Sequence, residues 1–358
     1  VYRTAFDSYR TKSPIYAGLA TGPDIAPMHE FKTEGATDVL LRDLNKDGYH
    51  DVVFAQERDM GTFHVDSILY WGSADGWAAT PDVRFKTRGA TGVDVAYING
   101  DATLDLVFSC GADDSGTSTD SLVFLQDGAG YSGANPSFTL PTKGASAVAA
   151  ADLNNDMRVD LVFACYRDGS IYGVESLVYW ASPSFGFETT PTGLPTLGAR
   201  DVKVADLDLD LDPDIVFANH FNDFSTYEVP SYVYLNDGTG GFASVPDVEL
   251  PTNGATGVDV GNVDGVGWRD LAFACFRDDD TRTVDSLVYL GDRTGYGQSP
   301  DIDLPTVGAM DVMLTDLSAT SGYVSQEIVP DDPMSIGAFH TISYTATLGP
   351  SQTASLQI

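Results

Sequence analysis

At 358 residues, 43% of them hydrophobic, the chain has material for a large core, and its length fits one all-β unit or two to three smaller domains. With 52 Asp+Glu against 19 Lys+Arg the net charge is −33, which argues against nucleic acid and anionic membranes as partners, because both bind through clustered Lys and Arg. Cations are the natural counter-charge, although a surface adapted to high salt would look the same; no apolar run approaches the roughly 20 residues that span a bilayer, so no membrane insertion is expected.

Self-comparison organises the chain. Gly-Ala pairs open at 35, 89, 144, 198, 254 and 308, with spacings of 54, 55, 54, 56 and 54 residues. Residues 1–34 lack such a pair. They read as the end of a second strand at Val1-Tyr2, a third strand at Ser13–Tyr16 and a fourth at Pro23–Ile25. Each full unit then reads as four strands. A short alternating run follows Gly-Ala, as in Val93/Val95 and Val202/Val204, the period of a half-buried strand. An acidic loop comes next, then a continuous apolar run (Val52–Ala55, Leu106–Phe108, Leu161–Ala164, Ile215–Ala218, Leu271–Ala274) that suits a strand buried on both faces. A third strand is Ser67–Tyr70 in the first unit and Ser286–Tyr289 in the fifth. After a Gly-rich turn such as Asn236–Phe242, a fourth strand leaves through Leu-Pro-Thr, where proline marks an edge.

Four strands per unit with no helical periodicity predict an all-β fold, a β-propeller of four-stranded blades. The last unit supplies a first strand over Gly308–Leu317 and then breaks off, while residues 1–34 supply the complementary strands. The expectation is a propeller over 1–317 closed by one composite blade, six blades in all, with seven as the alternative. Residues 318–358 read as a linker and the first strands of a second β segment, one that could also pair with another subunit.

The acidic loops carry the chemistry. In blade one, Asp43, Asn45, Asp47 and Asp51 occupy places one, three, five and nine, with Gly48 at the sixth, the way a short loop wraps a hard cation. Blade three repeats this with Asp152, Asn154, Asp156 and Asp160, and blade four with Asp206, Asp208, Asp210 and Asp214. Carbonyls at the seventh place (Tyr49, Arg158, Asp212) and water would complete the 6–8 oxygens of Ca²⁺. Blade two keeps only Asn99, Asp101 and Asp105, with Tyr97 first, and blade five keeps Asn262, Asp264 and Asp270, with Val266 fifth. Without flanking helices or a Glu at the twelfth place, these are not EF-hands.

The D-x-[DN]-x-D-x-x-x-D loops, the D-L-V-F-A-type strands behind them and the Asn236–Phe242 turn resemble the FG-GAP (VCBS) repeat family of integrin α-subunit propellers and propeller lectins. The resemblance implies calcium in the loops, an extracellular or cell-surface setting, and binding of glycans or proteins. The loops between second and third strands are the longest and most varied, and they open on the face opposite the acidic loops. They carry Arg58-Asp59, Tyr166-Arg167-Asp168 and Phe276-Arg277-Asp278 as candidates for ligand contact.

The five histidines fall at unrelated repeat positions, and no Ser/His/Asp or zinc spacing is present, so no enzyme is expected. Cys110, Cys165 and Cys275 share one repeat position, which separates them too far for a disulfide and fits small buried side chains. The expected function is an adhesion or recognition module. The alternatives are a structural subunit of an extracellular filament or surface layer, binding copies of itself, and a polysaccharide lyase-like enzyme, since some propeller lyases share the repeat.

Overall fold

The computed structural model describes residues 29–314 except 60 and 129, together with the strands Tyr2–Arg3, Lys12–Tyr16, Gly18–Leu19, Gly22–Pro23, Ser343–Leu348 and Gln352–Gln357. Its contacts divide the chain into two units. One holds Val1–Ala5, Ile15–Met28 and Pro195–Ile358, and the other Phe6–Pro14 and His29–Leu194. Blades one to three lie in the second unit and blades four and five in the first.

Five four-stranded antiparallel sheets follow the repeat, each with its strands in sequence order. Blade one runs Ala36–Arg42, Asp51–Gln56, Ser67–Tyr70, Val83–Phe85, and blade five runs Ala255–Gly261, Asp270–Cys275, Asp285–Tyr289, Ile302–Pro305. The expectation for the second strands holds in full: all six residues are buried in each of the five. Each contributes one phenylalanine that meets an aromatic ring of the third strand edge-on. Phe54 with Tyr70, Phe108 with Phe124 and Phe273 with Tyr289 have centroids 6.4, 5.9 and 6.1 Å apart. The fourth strands alternate buried and exposed residues, and their prolines fall on exposed positions of the edge.

The Gly-Ala opening now has a physical reason. Gly35 sits at φ 62°, and a Cβ there would fall on the Arg58 carbonyl oxygen of its own blade. Immediately after it, the ladder slips by one residue between Ala36 and Asp38, and the same bulge recurs in all five blades. The bulged residue faces sideways. Thr37 Oγ1 donates to the Ala90 carbonyl of the next blade (2.9 Å), Thr91 to Ala145 (2.6 Å) and Thr256 to Ala309 (2.8 Å). Third-strand tyrosines reach the other way, Tyr70 Oη to the Lys32 carbonyl and Tyr179 to that of Pro141.

Within each blade a serine binds outer strands to inner. Ser67 Oγ accepts the Gln56 N–H and lies 2.8 Å from Thr87 Oγ1. The equivalent serines take the N–H of Cys110, Cys165 and Cys275. These cysteines are free and buried as expected, and burial pushes each thiol up to about 12.

The ends differ in part from expectation. Gly22–Pro23 pairs with Gly18–Leu19 in a two-residue hairpin, so the blade-like fourth strand is His29–Lys32 rather than Pro23–Ile25. Phe31 provides the reason: it is fully buried, as Phe85 is one repeat later, and Thr33 follows as Thr87 does. Tyr2–Arg3 pairs with Ile15-Tyr16. Gly308–Leu314 forms no ladder among the described residues, but Ala309, Val312 and Leu314 pack on Ala272 and Ala274 of blade five. The remainder of the expected composite blade, Asp316 and Ile328–Pro330 lie outside the described residues. Ser343–Leu348 and Gln352–Gln357 form a separate antiparallel pair, not a blade.

Candidate metal centre

The ninth aspartate of every loop is the first residue of the second strand, and it is fully buried in all five blades. One oxygen of Asp51 accepts the Leu44 N–H (2.7 Å) and the other the Gly72 N–H (2.7 Å). Asp105, Asp160, Asp214 and Asp270 repeat the arrangement, one oxygen on the loop and one at the end of the third strand. Sequence reasoning grouped these residues with the metal ligands. The structure gives them the same strut role in the ligand-poor blades two and five as in the others. Burial raises their carboxyls against the pull of these hydrogen bonds, for Asp160 and Asp214 to about 6.

The outer loop residues differ from blade to blade. In blade one, Asp43 closes the loop by accepting the Asp47 and Gly48 N–H groups, and the Asn45 amide donates to Asp47. The Asp47 Oδ1 takes the Tyr49 N–H. Blade three is built alike, with Asp152 accepting from Asp156 and Met157, and Asn154 from Asp156. There the Arg158 guanidinium sits on Asp156 Oδ2 at 2.7 Å, a positive charge from the loop itself. In blade five Asn262 and Asp264 accept N–H groups of Gly265 and Val266.

Blade four is different. Asp206, Asp208 and Asp210 bring a carboxylate oxygen each to within 4.8 Å of one another, the closest such gathering among the described residues. Asp206 Oδ2 accepts the Leu211 N–H, but Asp206 Oδ1 is buried with no hydrogen-bond partner among them. Burial, then the charges of Asp210 and Asp206, raise the Asp208 carboxyl above its ordinary 3.8. Asp210 Oδ1 holds the Asp212 N–H. Asp214 stands apart from the triad as the strut.

On the loops between second and third strands, several expected contact residues turn out to shape the loop itself. Asp59 and Asp168 form backbone bridges with Thr62 and Ile171, and Asp278 Oδ1 accepts the N–H groups of Asp280 and Thr281. Tyr166 meets Tyr172 edge-on, with Arg167 6.0 Å from the Tyr166 ring. In the other unit, Arg277 lies 4.6 Å over Tyr227 and Arg282 4.7 Å over Phe276. Tyr227 and Arg282 are not among the contact residues expected from the sequence, although Arg282 follows Arg277 on the same loop. His220 packs between Tyr227 and Phe276, with Nδ1 3.0 Å from the Gly254 carbonyl. Burial and the Arg200 charge drive it down to about 3.

Residues 152–217, from the blade-three loop to the second strand of blade four, match the FG-GAP-like repeat family. That segment carries an FG-GAP-like repeat, and the chain around it folds as all-β, blade-like four-stranded sheets of the propeller type. A 6-phosphogluconolactonase candidate from Bacteroides uniformis superposes with a TM-score of 0.53 at 12% identity, over 86% of this chain and 81% of that one, which is a likeness of fold. The Vibrio cholerae biofilm matrix protein Bap1 aligns with a TM-score of 0.43 at 12% identity, over 85% of this chain, which spans 42% of the Bap1 chain. No curated protein matches the sequence.

Proposed function

We propose that this FG-GAP-repeat propeller is an extracellular recognition or adhesion module whose blade-four loop holds calcium. One observation carries the metal assignment: Asp206, a member of the Asp206–Asp208–Asp210 triad, has a buried Oδ1 with no hydrogen-bond partner among the described residues. A buried carboxylate oxygen without a donor is costly, and a hard cation with oxygen ligands removes the cost. Asp206, Asp208 and Asp210 would hold the ion. Its chemistry there is charge neutralisation. Blades one and three rank below, because the Asn45 amide and the Arg158 guanidinium already satisfy part of their acids.

The FG-GAP-like repeat supports the extracellular setting. The loops bearing Arg277 on Tyr227 and Arg282 on Phe276 are the proposed contact surface for a glycan or protein, since aromatic and arginine side chains dominate recognition hot spots. Calorimetric calcium titration of wild type and Asp208→Asn tests the metal; the variant should lose the tightest binding step. Glycan-array binding by wild type that Arg277→Ala with Tyr227→Ala removes tests the surface. Identical calcium isotherms, or binding indifferent to the double variant, would sink the respective half. The separate strand pair at 343–357 favours a second reading, a subunit that assembles with its own copies; self-association abolished by deleting those residues would establish it.

A further inference from the structure

Blade two has lost the first ligand of its loop, where Tyr97 replaces an aspartate, and its neighbour has changed in a matching way. The fourth place of the blade-one loop is Lys46; in blades two to five it is Gly100, Asn155, Leu209 and Gly265. That place is left-handed in blade one (φ 61°), as it is at Asn155 (57°) and Leu209 (63°), so the loop geometry is shared and only the side chain is special. Lys46 Nζ reaches across to blade two. It donates to the Ala102 carbonyl, the sixth residue of that loop, at 2.6 Å, and stands 5.1 Å from the centre of the Tyr97 ring.

We propose that the Lys46 ammonium is the resident cation of the blade-two loop, a tethered counter-charge held against the residues at its first and sixth places. The negative face of the Tyr97 ring stands in for the missing carboxylate, and the Ala102 carbonyl supplies an oxygen. The acid at the fifth place, Asp101, is satisfied without an ion: Thr103 donates to it from both N–H and hydroxyl, and the Asn99 amide donates at 2.7 Å. These hydrogen bonds, then the Lys46 charge, hold its carboxyl below 3.8. Blade two therefore takes no calcium, and the order of its loop depends on the loop of blade one.

The thermal arm is run in chelator, so it is independent of whether blade four binds calcium, and the stoichiometry is read separately by calcium titration. Lys46→Met keeps the stem and removes the charge. At low ionic strength it should lower Tm by about 2–4 °C, a loss that shrinks in high salt, while Lys46→Arg stays near wild type. Tyr97→Leu should lower Tm as well, and the double variant should be no worse than Lys46→Met alone. A second arm works by gain: Lys46→Met with Tyr97→Asp should add one calcium to the stoichiometry. An unchanged Tm for Lys46→Met, additive losses in the double variant, or a calcium lost from wild type on Asp101→Ala would each overturn the proposal. A chain that binds no calcium yet loses Tm on Lys46→Met would sink the blade-four reading alone.

Discussion

Two residues show how single positions trade stability for something else. The sixth place of the acidic loop is Gly48 in blade one at φ 91°, but Met157 in blade three at 66°, a residue that is 93% exposed. A side chain in the left-handed region costs about 1–2 kcal/mol, and no packing repays it here. Met157→Gly should therefore gain about 0.5–1 kcal/mol after glycine's greater unfolded freedom is subtracted, read as a higher midpoint in urea. His220 sets an acid limit. Its folded pKa of about 3 lies below the unfolded value of 6.5, so the folded state binds the proton less well. Its contribution is complete above pH 6.5 and is lost as pH falls toward 3, at about 1.4 kcal/mol per unit. His220→Gln should show a shallower loss of stability than wild type across that window. Parallel curves would mean that the ring tolerates its charge.

At the scale of the strand and loop, the ninth aspartates separate strut from ligand. Each holds at least two N–H groups in a buried corner, so Asp105→Ala and Asp214→Ala should cost about 3 kcal/mol each in chelator, although among the described residues only blade four gathers the acidic triad. A large cost for Asp214→Ala and none for Asp105→Ala would return the residue to the ligand set. This distinction was invisible in the sequence, because an aspartate one place before a buried strand looks the same whether its oxygens face a cation or the backbone. The strands themselves were legible, since alternation and continuous apolar runs report burial on one face or two. The start of the chain misled because Gly22-Pro23 resembles an edge strand, while the deciding feature, Phe31 in register with Phe85, emerges only when the unit is aligned backwards from Thr33. Lys46 could not be read at all: its partner Tyr97 is 51 residues away, and only the packing of neighbouring blades brings them together.

For the whole molecule the governing number is the net charge of −33. Like charges at this density repel in the folded state, so any salt should stabilise, because the Debye length falls from about 30 Å at 0.01 M to about 10 Å at 0.1 M. That general effect has to be separated from a specific site. The blade-four triad predicts a second component, since its acids lie too close together for diffuse screening to neutralise them and one oxygen has no donor among the described residues. In 0.1 M NaCl, where the diffuse component is largely spent, millimolar Ca²⁺ should still raise Tm, by the equivalent of about 2.7 kcal/mol once it exceeds the dissociation constant a hundredfold. Mg²⁺, which dehydrates reluctantly and demands a tight octahedron, should do less at the same concentration. Acid should erode the calcium increment first: the raised Asp208 carboxyl means that protons compete for the site as pH falls through its folded pKa, whereas without calcium the same protonation relieves repulsion. Asp208→Asn should abolish the calcium increment and leave the sodium effect intact. Equal rises from Na⁺, Mg²⁺ and Ca²⁺ at matched ionic strength, unaltered in that variant, would reduce calcium to one more counter-ion of an acidic surface.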